Sequence, residues 1–256
     1  MAVSLIGDTG FVGGNLLRQV PVDATYNSGT IDAIVGRCFD LLIIAGAPGA
    51  KWRANQDPVA DAAAIARLTA ALMQVTARRA VLISTVDVYP NAVGVSEATT
   101  VVPTDASPYG RHRRQLEDVV TARFDAVVIR LPGLFGPGLR KNVIFDLLNR
   151  RGIEQINPDS TYQWYPIDRL WIDIRLALAK RLRLVNLVTE PLRVDELARD
   201  AFGLELAAAG ASAPATHYDV RTEYDRLFGG RSGYLAAKTE SVRRITAFVK
   251  QARAQV

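Results

Sequence analysis

Short apolar runs alternate with amphipathic segments along the first half of the chain. The apolar runs are Ala2–Ile6, Asp40–Ile44, Ala80–Ser84 and Ala126–Arg130. Each has the length of a strand that is buried on both faces of a sheet. A weaker strand is predicted over Asp23–Tyr26. Since strands that alternate with helices indicate βαβ units, we predict an α/β fold with a doubly wound parallel sheet.

Two amphipathic helices stand out between these runs. The first is predicted over residues 57–79, with Asp57 as its N-terminal cap and Arg79 at its C-terminal end. The second covers Tyr109–Arg123. A shorter helix is predicted over Asn15–Val20, close to the N-terminus.

A glycine-rich turn joins the first strand to this short helix. Gly7, Gly10 and Gly13 have the spacing G-x-x-G-x-x-G. A pyrophosphate at a helix N-terminus must approach backbone N–H groups, and a Cβ atom in the turn would block that approach. The triplet therefore favours a dinucleotide site, and a sheet of the Rossmann type, over a plain tight turn. The other residues of the turn in this predicted site are Thr9, Phe11 and Val12.

The end of the second strand bears on which dinucleotide binds. An acidic residue there usually holds the 2′-hydroxyl of the adenosine ribose, but Thr25–Ser28 contains no carboxylate. Asn27 or Ser28 could hydrogen-bond a ribose hydroxyl, and neither would repel a 2′-phosphate. The predicted cofactor is therefore NAD or NADP, with NADP at least as favoured.

Two further stretches carry candidate chemistry. Ser84 and Thr85 end a strand at the carboxyl edge of the sheet, where open α/β sheets bind their ligands. Tyr109 and Arg113 are four residues apart on one helix face, which places a cation beside a phenol. We expect this cation to lower the pKa of Tyr109 and make the phenol usable as an acid or base at neutral pH. His112 points away from that face, and we expect it to be solvated.

With these residues the sequence resembles the extended short-chain dehydrogenase/reductases, specifically the NAD-dependent epimerase/dehydratase family of nucleotide-sugar enzymes. The resemblance extends over roughly the first 203 residues. Besides the glycine triplet, the motifs that carry it are Ser84-Thr85-x-x-Val88-Tyr89, Ser107-Pro108-Tyr109-Gly110 with Glu117, Arg130–Pro137, and Val185–Pro191 followed by Val194–Leu197.

The resemblance implies roles for individual residues. Tyr109 stands where the family has its catalytic acid/base, and Thr85 stands where a Ser or Thr hydrogen-bonds the reacting carbonyl or hydroxyl. Besides Tyr109, Arg113 and the residues already named, the implied cofactor contacts are Ser84, then Ala45, Gly46 and Ala47 beside the adenosine ribose and pyrophosphate, and Pro132, Gly133 and Leu134 against the nicotinamide.

Two positions depart from the family pattern. The family has lysine four residues after the tyrosine, where this chain has Arg113. Arginine keeps the positive charge and can hydrogen-bond the nicotinamide ribose, but it cannot pass a proton. The second departure is Asp61, where the family often has asparagine.

Two hypotheses on function follow. The first is an enzyme that transfers hydride reversibly between NAD(P) and a carbon of a sugar or nucleotide sugar; the motifs leave reduction, epimerisation and dehydration open. The second is a non-catalytic dinucleotide-binding sensor or partner subunit, which the arginine favours. The resemblance also implies a homodimer paired through the helices at about 57–79 and 108–123.

The chain is predicted to have a nucleotide-binding core over residues 1–135 and about 181–203. An interleaved substrate lobe would be built from about 136–180 and 204–240, with Ala207–Thr216 as an exposed loop. Three aromatic residues, Trp164, Tyr165 and Trp171, lie where family members contact substrate, but core packing is expected for at least two of them.

Composition narrows the class further. The chain has 256 residues and a formal net charge of +5 from 31 Lys+Arg against 26 Asp+Glu. Its arginine clusters are scattered, so no nucleic-acid partner is expected. One cysteine and two histidines predict no metal site. No apolar run reaches about 18 residues and no basic leader precedes the first strand, so we expect a cytoplasmic protein without a membrane partner.

Overall fold

A computed structural model describes residues 2–207 and 214–254 of the chain. Of the predicted exposed loop Ala207–Thr216, residues 208–213 lie outside the described residues. The rest forms two compact units, whose segments alternate along the chain.

The strands are β1 (Val3–Ile6), β2 (Ala24–Tyr26), β3 (Cys38–Ile44), β4 (Thr76–Thr85), β5 (Val93–Val95), β6 (Ala126–Leu131), β7 (Gly133–Phe135), β8 (Thr161–Tyr162), β9 (Trp164–Pro166), β10 (Leu184–Asn186), β11 (Leu192–Arg193) and β12 (Asp219–Val220). The helices are α1 (Phe11–Leu16), α2 (Lys51–Gln56), α3 (Pro58–Leu72), α4 (Pro108–Arg123), α5 (Val143–Asn149), α6 (Leu170–Ala179), α7 (Val194–Leu197) and α8 (Lys238–Arg253). A π-helical turn, Ala198–Phe202, continues α7, and a 3-10 turn, Val86–Val88, follows β4.

The first unit contains the predicted parallel sheet. It comprises the described residues of Met1–Asn91, Glu97–Leu131 and Asp168–Asn186. Its six strands lie in the order β2-β1-β3-β4-β6-β10, and every neighbouring pair is parallel. The chain leaves β1 for β2 on one side and returns to β3 on the other, so the topological switch point lies between β1 and β3. The prediction of a doubly wound parallel α/β sheet is confirmed.

Apolar side chains of the central strands hold this sheet against two helices. Leu42 of β3 and Leu82 of β4 are almost completely buried in one cluster with Ile65 of α3 and Leu116 of α4. Burying such a side chain stabilises the fold by roughly 1.5–3 kcal/mol. The sheet and these helices therefore form a firm base for the loops at the carboxyl edge.

Two helix boundaries differ from the prediction. The helix predicted to end at Arg79 ends at Leu72, and Arg79 lies in β4. The first residues of β4 alternate between exposed and half-buried. Their polar side chains therefore give the sequence the same composition as the solvated end of a helix. The helix predicted over Asn15–Val20 begins earlier, at Phe11 directly after the glycine turn, and ends at Leu16.

The second unit comprises Ala92–Ser96, Pro132–Ile167 and the described residues of Leu187–Val256. Three two-stranded sheets are found in it, β5 with β12, β7 with β9, and β8 with β11. Its core unites residues of β7, β9 and β11 with residues of α5, α7 and α8. The division differs from the predicted one, because Asp168–Ala179 belongs to the first unit and Leu187–Gly203 to the second.

Two of the three aromatic residues considered for substrate contact are core residues, as expected. Trp164 and Tyr165 are 2% and 1% exposed, so they are core residues of the second unit. Trp171 is half-buried in α6.

Among the described helices, none has both the length and the apolar character needed to cross a membrane.

Candidate active site

Three strand ends meet at the glycine turn. Because β1, β2 and β3 are parallel neighbours, their carboxyl ends lie at the same edge of the sheet. The N–H of Gly7 donates to the carbonyl of Tyr26 (2.6 Å), and the N–H of Ala45 donates to the carbonyl of Ile6 (2.8 Å). The structure therefore brings together three of the predicted cofactor segments, Gly7–Gly13, Asn27–Ser28 and Ala45–Ala47.

Two glycines of this turn are required by packing within the protein, and the third is exposed. Gly7 has a φ of +100°, and a Cβ there would lie 2.3 Å from the carbonyl oxygen of Ala45. A Cβ at Gly13 would lie 2.1 Å from the carbonyl oxygen of Gly7. Packing within the protein thus requires both of these glycines. Gly10 is exposed at the N-cap of α1, and its bare backbone faces solvent as a ligand site requires.

The segment after β2 forms a local turn. The side-chain oxygen of Asn27 accepts a hydrogen bond from the N–H of Gly29 (2.9 Å), and the N–H of Asn27 donates to Oγ1 of Thr30 (3.0 Å). Asn27 therefore shapes the turn, and Ser28 is exposed beside it.

The fold brings Thr85 and Tyr109 together. Ser107 caps α4, with its Oγ accepting from the N–H of Gly110 (3.4 Å). A Cβ at Gly110 would lie 2.0 Å from the carbonyl oxygen of Asp87. The missing Cβ thus lets the first turn of α4 lie directly against the turn after β4. In this position the hydroxyl of Tyr109 lies beside the side chain of Thr85, which lowers the pKa of the phenol.

Replacing Gly110 with alanine tests this close approach. The added methyl must displace backbone, so we expect unfolding to become easier by about 1–3 kcal/mol. We also expect the Tyr109–Thr85 contact to be lost. Gly49→Ala is the matched control, because a Cβ there meets no atom within 4 Å. Equal denaturation midpoints for the two variants would contradict the prediction.

Arg113 is buried and held from several sides. Its guanidinium lies over the ring of Tyr109, with 4.0 Å between the central carbon and the ring centroid. Both terminal nitrogens donate to the carboxylate of Asp61, one of them at 2.8 Å. They also donate to the backbone carbonyls of Pro48 and Tyr109. The buried Nε of Arg113 has no hydrogen-bond partner in the described part of the chain.

The expectation that His112 is solvated is wrong. His112 is 8% exposed, and its Nδ1 lies 2.7 Å from Oδ2 of Asp61. The reason is that α4 packs against α3, so the face beside the one that carries Tyr109 is also covered. The two departures from the family pattern, Arg113 and Asp61, are therefore bonded to each other.

The pKa of Asp61 follows from these contacts. Burial by itself would raise the pKa of this carboxyl group. Hydrogen bonds and charge from Arg113 and His112 outweigh burial and hold the pKa of Asp61 below its ordinary value.

Arg113 lowers the pKa of Tyr109, as expected, but other groups outweigh it and the net pKa is raised. Burial raises the pKa of the phenol above 10, and the carboxylate of Asp87 raises it further, against the opposing effects of Arg113, Lys51 and Thr85. The charge of Arg113 is countered by Asp61, and its guanidinium lies over the ring of Tyr109. Tyr109 therefore holds its proton at neutral pH.

Two charged residues that sequence reasoning did not select stand beside these side chains. Nζ of Lys51, at the start of α2, lies 2.7 Å from Oδ1 of Asp87. The backbone N–H of Asp87 donates to Oγ1 of Thr85 (3.1 Å). The side chain of Asp87 is only 17% exposed. The one signal for Lys51 was its position just after a strand that ends at the ligand-binding edge.

Other residues of the family motifs form a buried polar network. Glu117 accepts two hydrogen bonds from Arg130, at 2.9 and 2.6 Å, and one from the hydroxyl of Ser84 at 2.6 Å. Arg130 also donates to the hydroxyl of Tyr89 at 2.8 Å. The side chain of Ser84, predicted to contact the cofactor, is thus engaged in joining β4 to α4.

The remaining predicted cofactor residues lie in the second unit. Gly133 and Leu134 belong to β7, which pairs with β9, and Pro132 immediately precedes it. Their contact with the nicotinamide stays a prediction.

The parallel sheet and the glycine turn at its switch point define a Rossmann-type α/β protein. The family model for the NAD dependent epimerase/dehydratase family matches residues 20–155, more than half of the chain. The chain belongs to this family.

Solved structures with the same fold cover essentially the whole chain. MoeE5 in complex with UDP-glucuronic acid and NAD has a TM-score of 0.75 at 18% identity, with 100% of both chains covered. UDP-N-acetylglucosamine 4-epimerase from Methanobrevibacter ruminantium M1 has a TM-score of 0.76 at 13% identity, covering 100% of this chain and 99% of that one. RMD from Pseudomonas aeruginosa, complexed with NADPH, has a TM-score of 0.74 at 18% identity, covering 98% and 100%. No curated protein matches the sequence.

Proposed function

We propose that the protein is a nicotinamide-dependent enzyme that transfers hydride to or from a carbon of a sugar or nucleotide sugar. The observation that carries this proposal is the placement of Tyr109 beside Thr85, where the first turn of α4 lies against the turn after β4, at the same sheet edge as the glycine turn. Membership of the family supports it. So do similar structures that hold UDP-glucuronic acid with NAD, or NADPH.

Tyr109 and Thr85 have the chemistry that such a reaction needs. A bound nicotinamide would supply or accept the hydride. Thr85 would orient the reacting oxygen, and Tyr109 would give that oxygen a proton or take one from it. Since the pKa of Tyr109 is raised, the phenol rests as the acid at neutral pH.

Several residues of the first unit fit a dinucleotide. The bare backbone of Gly10 at the N-cap of α1 would face the pyrophosphate. Ser28 is exposed after β2 and would meet the adenosine ribose. The unpartnered Nε of Arg113 would donate to a hydroxyl of the nicotinamide ribose. No carboxylate stands at the end of β2 to repel a 2′-phosphate, so NADP is at least as favoured as NAD.

A second candidate function is a dinucleotide-binding sensor or partner subunit without catalysis. The observation that favours it is the engagement of Arg113, whose two terminal nitrogens are committed to Asp61 and to backbone carbonyls. The sensor would bind NAD(P)H but would consume none with any keto-sugar.

A fluorescence titration with NADH and NADPH in parallel tests the cofactor site. We expect saturable binding of both, with NADPH bound at least as tightly as NADH. Gly10→Val should weaken both, because its side chain would project where the pyrophosphate must approach the backbone. Gly49→Val is the control for an exposed loop glycine. Binding of neither nucleotide would overturn both candidate functions.

We also propose that two copies pair through α3 and α4, as the family resemblance implies. The large exposed apolar side chain of Val59, 80% exposed at the start of α3, supports an interface there.

A further inference from the structure

A line of polar side chains leads from the phenol of Tyr109 toward solvent. The hydroxyl of Tyr109 lies beside the side chain of Thr85. Oγ1 of Thr85 lies 3.3 Å from Oδ2 of Asp87, and Oδ1 of Asp87 lies 2.7 Å from Nζ of Lys51. The side chain of Lys51 is 44% exposed. Each of these groups can give and accept a proton. Lys51, the last of them, can also exchange its proton with water.

Arg113 cannot pass a proton to Tyr109. A guanidinium stays protonated in proteins, so it supplies charge but passes no proton. Its side chain is also 3% exposed and bonded to Asp61. Tyr109 itself is half-buried. A phenol that gives up a proton in each turnover needs another route by which to regain it.

We propose that Thr85, Asp87 and Lys51 form a proton relay that connects Tyr109 with solvent. The proposal rests on the proposed hydride-transfer function. In it Tyr109 and Thr85 touch the substrate, and Asp87 and Lys51 are positioning residues that act through them. Lys51 thus takes over the proton transfer that Arg113 cannot perform.

The relay balances in the reducing direction. The substrate oxygen takes the phenolic proton of Tyr109 as its carbon is reduced. The phenolate takes the hydroxyl proton of Thr85. The carboxylate of Asp87 takes a proton from the ammonium of Lys51, and the resulting carboxylic acid gives its proton to Thr85. The resulting amine takes a proton from water. One proton has then moved from solvent to substrate, and no relay group is oxidised or reduced.

The geometry of α2 shows why Lys51 stands at this place. Asn55, one helical turn after Lys51, accepts a hydrogen bond from the backbone N–H of Tyr109 at 3.1 Å. Lys51 and Asn55 lie on one face of α2, and both meet the site. The 3.3 Å separation of Thr85 and Asp87 is long for a hydrogen bond, as is common at catalytic sites before substrate binds.

The variant Lys51→Arg distinguishes a proton relay from a simple ion pair between Lys51 and Asp87. Arginine can keep the contact with Asp87 but cannot deliver a proton, so kcat is expected to fall about 10- to 100-fold, within the usual range for acid–base catalysis. The kcat of Lys51→Met should fall by a similar factor, and small primary amines in the buffer should partly restore it. Arg53→Met, on the exposed side of the same helix, is the control and should keep its rate.

A second readout needs neither cofactor nor substrate. The phenol of Tyr109 can be titrated by its ultraviolet absorbance, as the difference from Tyr109→Phe. The charged groups around it are Asp87, Lys51 and Arg113. Lys51→Met should raise the pKa of Tyr109, and Asp87→Asn should lower it.

The outcomes distinguish the relay from the function on which it rests. Wild-type protein that binds NADPH but reduces no sugar substrate would overturn the proposed function. A wild-type enzyme whose Lys51→Arg variant keeps its full rate and pH profile would overturn the relay alone. An unchanged pKa of Tyr109 in both Lys51→Met and Asp87→Asn would also overturn the relay, because the groups would then not be coupled.

Discussion

Replacing Tyr109 with phenylalanine is expected to reduce turnover at least about 1000-fold, within the range reported for loss of a general acid. The variant loses only the hydroxyl that contacts Thr85. Its ring remains beneath the guanidinium of Arg113, and its backbone N–H still reaches Asn55. The affinity for NADPH should therefore stay nearly unchanged. Steady-state rates and a fluorescence titration of the same preparation measure both quantities.

Tyr218→Phe is the control for this experiment. Tyr218 is half-buried in the second unit and packs against the ring of Tyr162, so the variant should keep both rate and affinity. If Tyr109→Phe binds NADPH normally and still turns over at the wild-type rate, the hydroxyl is not the acid. Loss of binding together with turnover would point instead to a displaced α4.

Replacing Asp61 with alanine is expected to give the largest loss of stability among these variants. Asp61 is 6% exposed and is the anionic partner of both Arg113 and His112. Removing one member of a buried ion pair leaves a charge without compensation and costs about 3–5 kcal/mol. Urea denaturation measures this difference in the free energy of unfolding. The affinity for the cofactor should fall too, because Arg113 is no longer fixed.

An exposed ion pair provides the control. Asp32 and Arg67 lie 2.7 Å apart, with side chains 76% and 53% exposed. Asp32→Asn should change the free energy of unfolding by less than about 1 kcal/mol, because solvent screens such pairs. A similar small effect for Asp61→Ala would show that the buried pair does not hold α3 to α4.

The same pair has a defined pH dependence. The folded pKa of Asp61 is lowered, so its contribution to stability is present above the unfolded pKa of about 3.9 and is lost as pH falls through the folded value. Wild type and Asp61→Asn should therefore differ most above pH 4, and the difference should shrink in acid.

The buried pair also changes what is expected of Arg113→Lys. From the family pattern alone, Arg113→Lys is expected to preserve or improve activity, since it restores the residue usual in the family. In the structure, Arg113 spans both oxygens of Asp61 and the carbonyl of Pro48. A single ammonium cannot make all of these bonds. The lysine variant should therefore be less stable than the wild type.

The sequence by itself determined the parallel sheet, the glycine turn and the start of α4. These features depend on local patterns, namely apolar runs of strand length, glycine spacing and the Ser-Pro-Tyr-Gly start of a helix. Such patterns encode backbone conformation and burial directly. The boundary of α3 was wrong where β4 begins, because a half-exposed strand and a solvated helix end have the same polar composition there.

Only the tertiary structure decided the charges around Tyr109. Asp61 lies 52 residues before Arg113, and Lys51 lies 36 residues before Asp87. No spacing along the chain connects these partners, since packing of α2 and α3 against α4 and the sheet edge brings them together. The direction of the pKa of Tyr109 depends on that packing, because burial and Asp87 outweigh the cation that the sequence placed beside it.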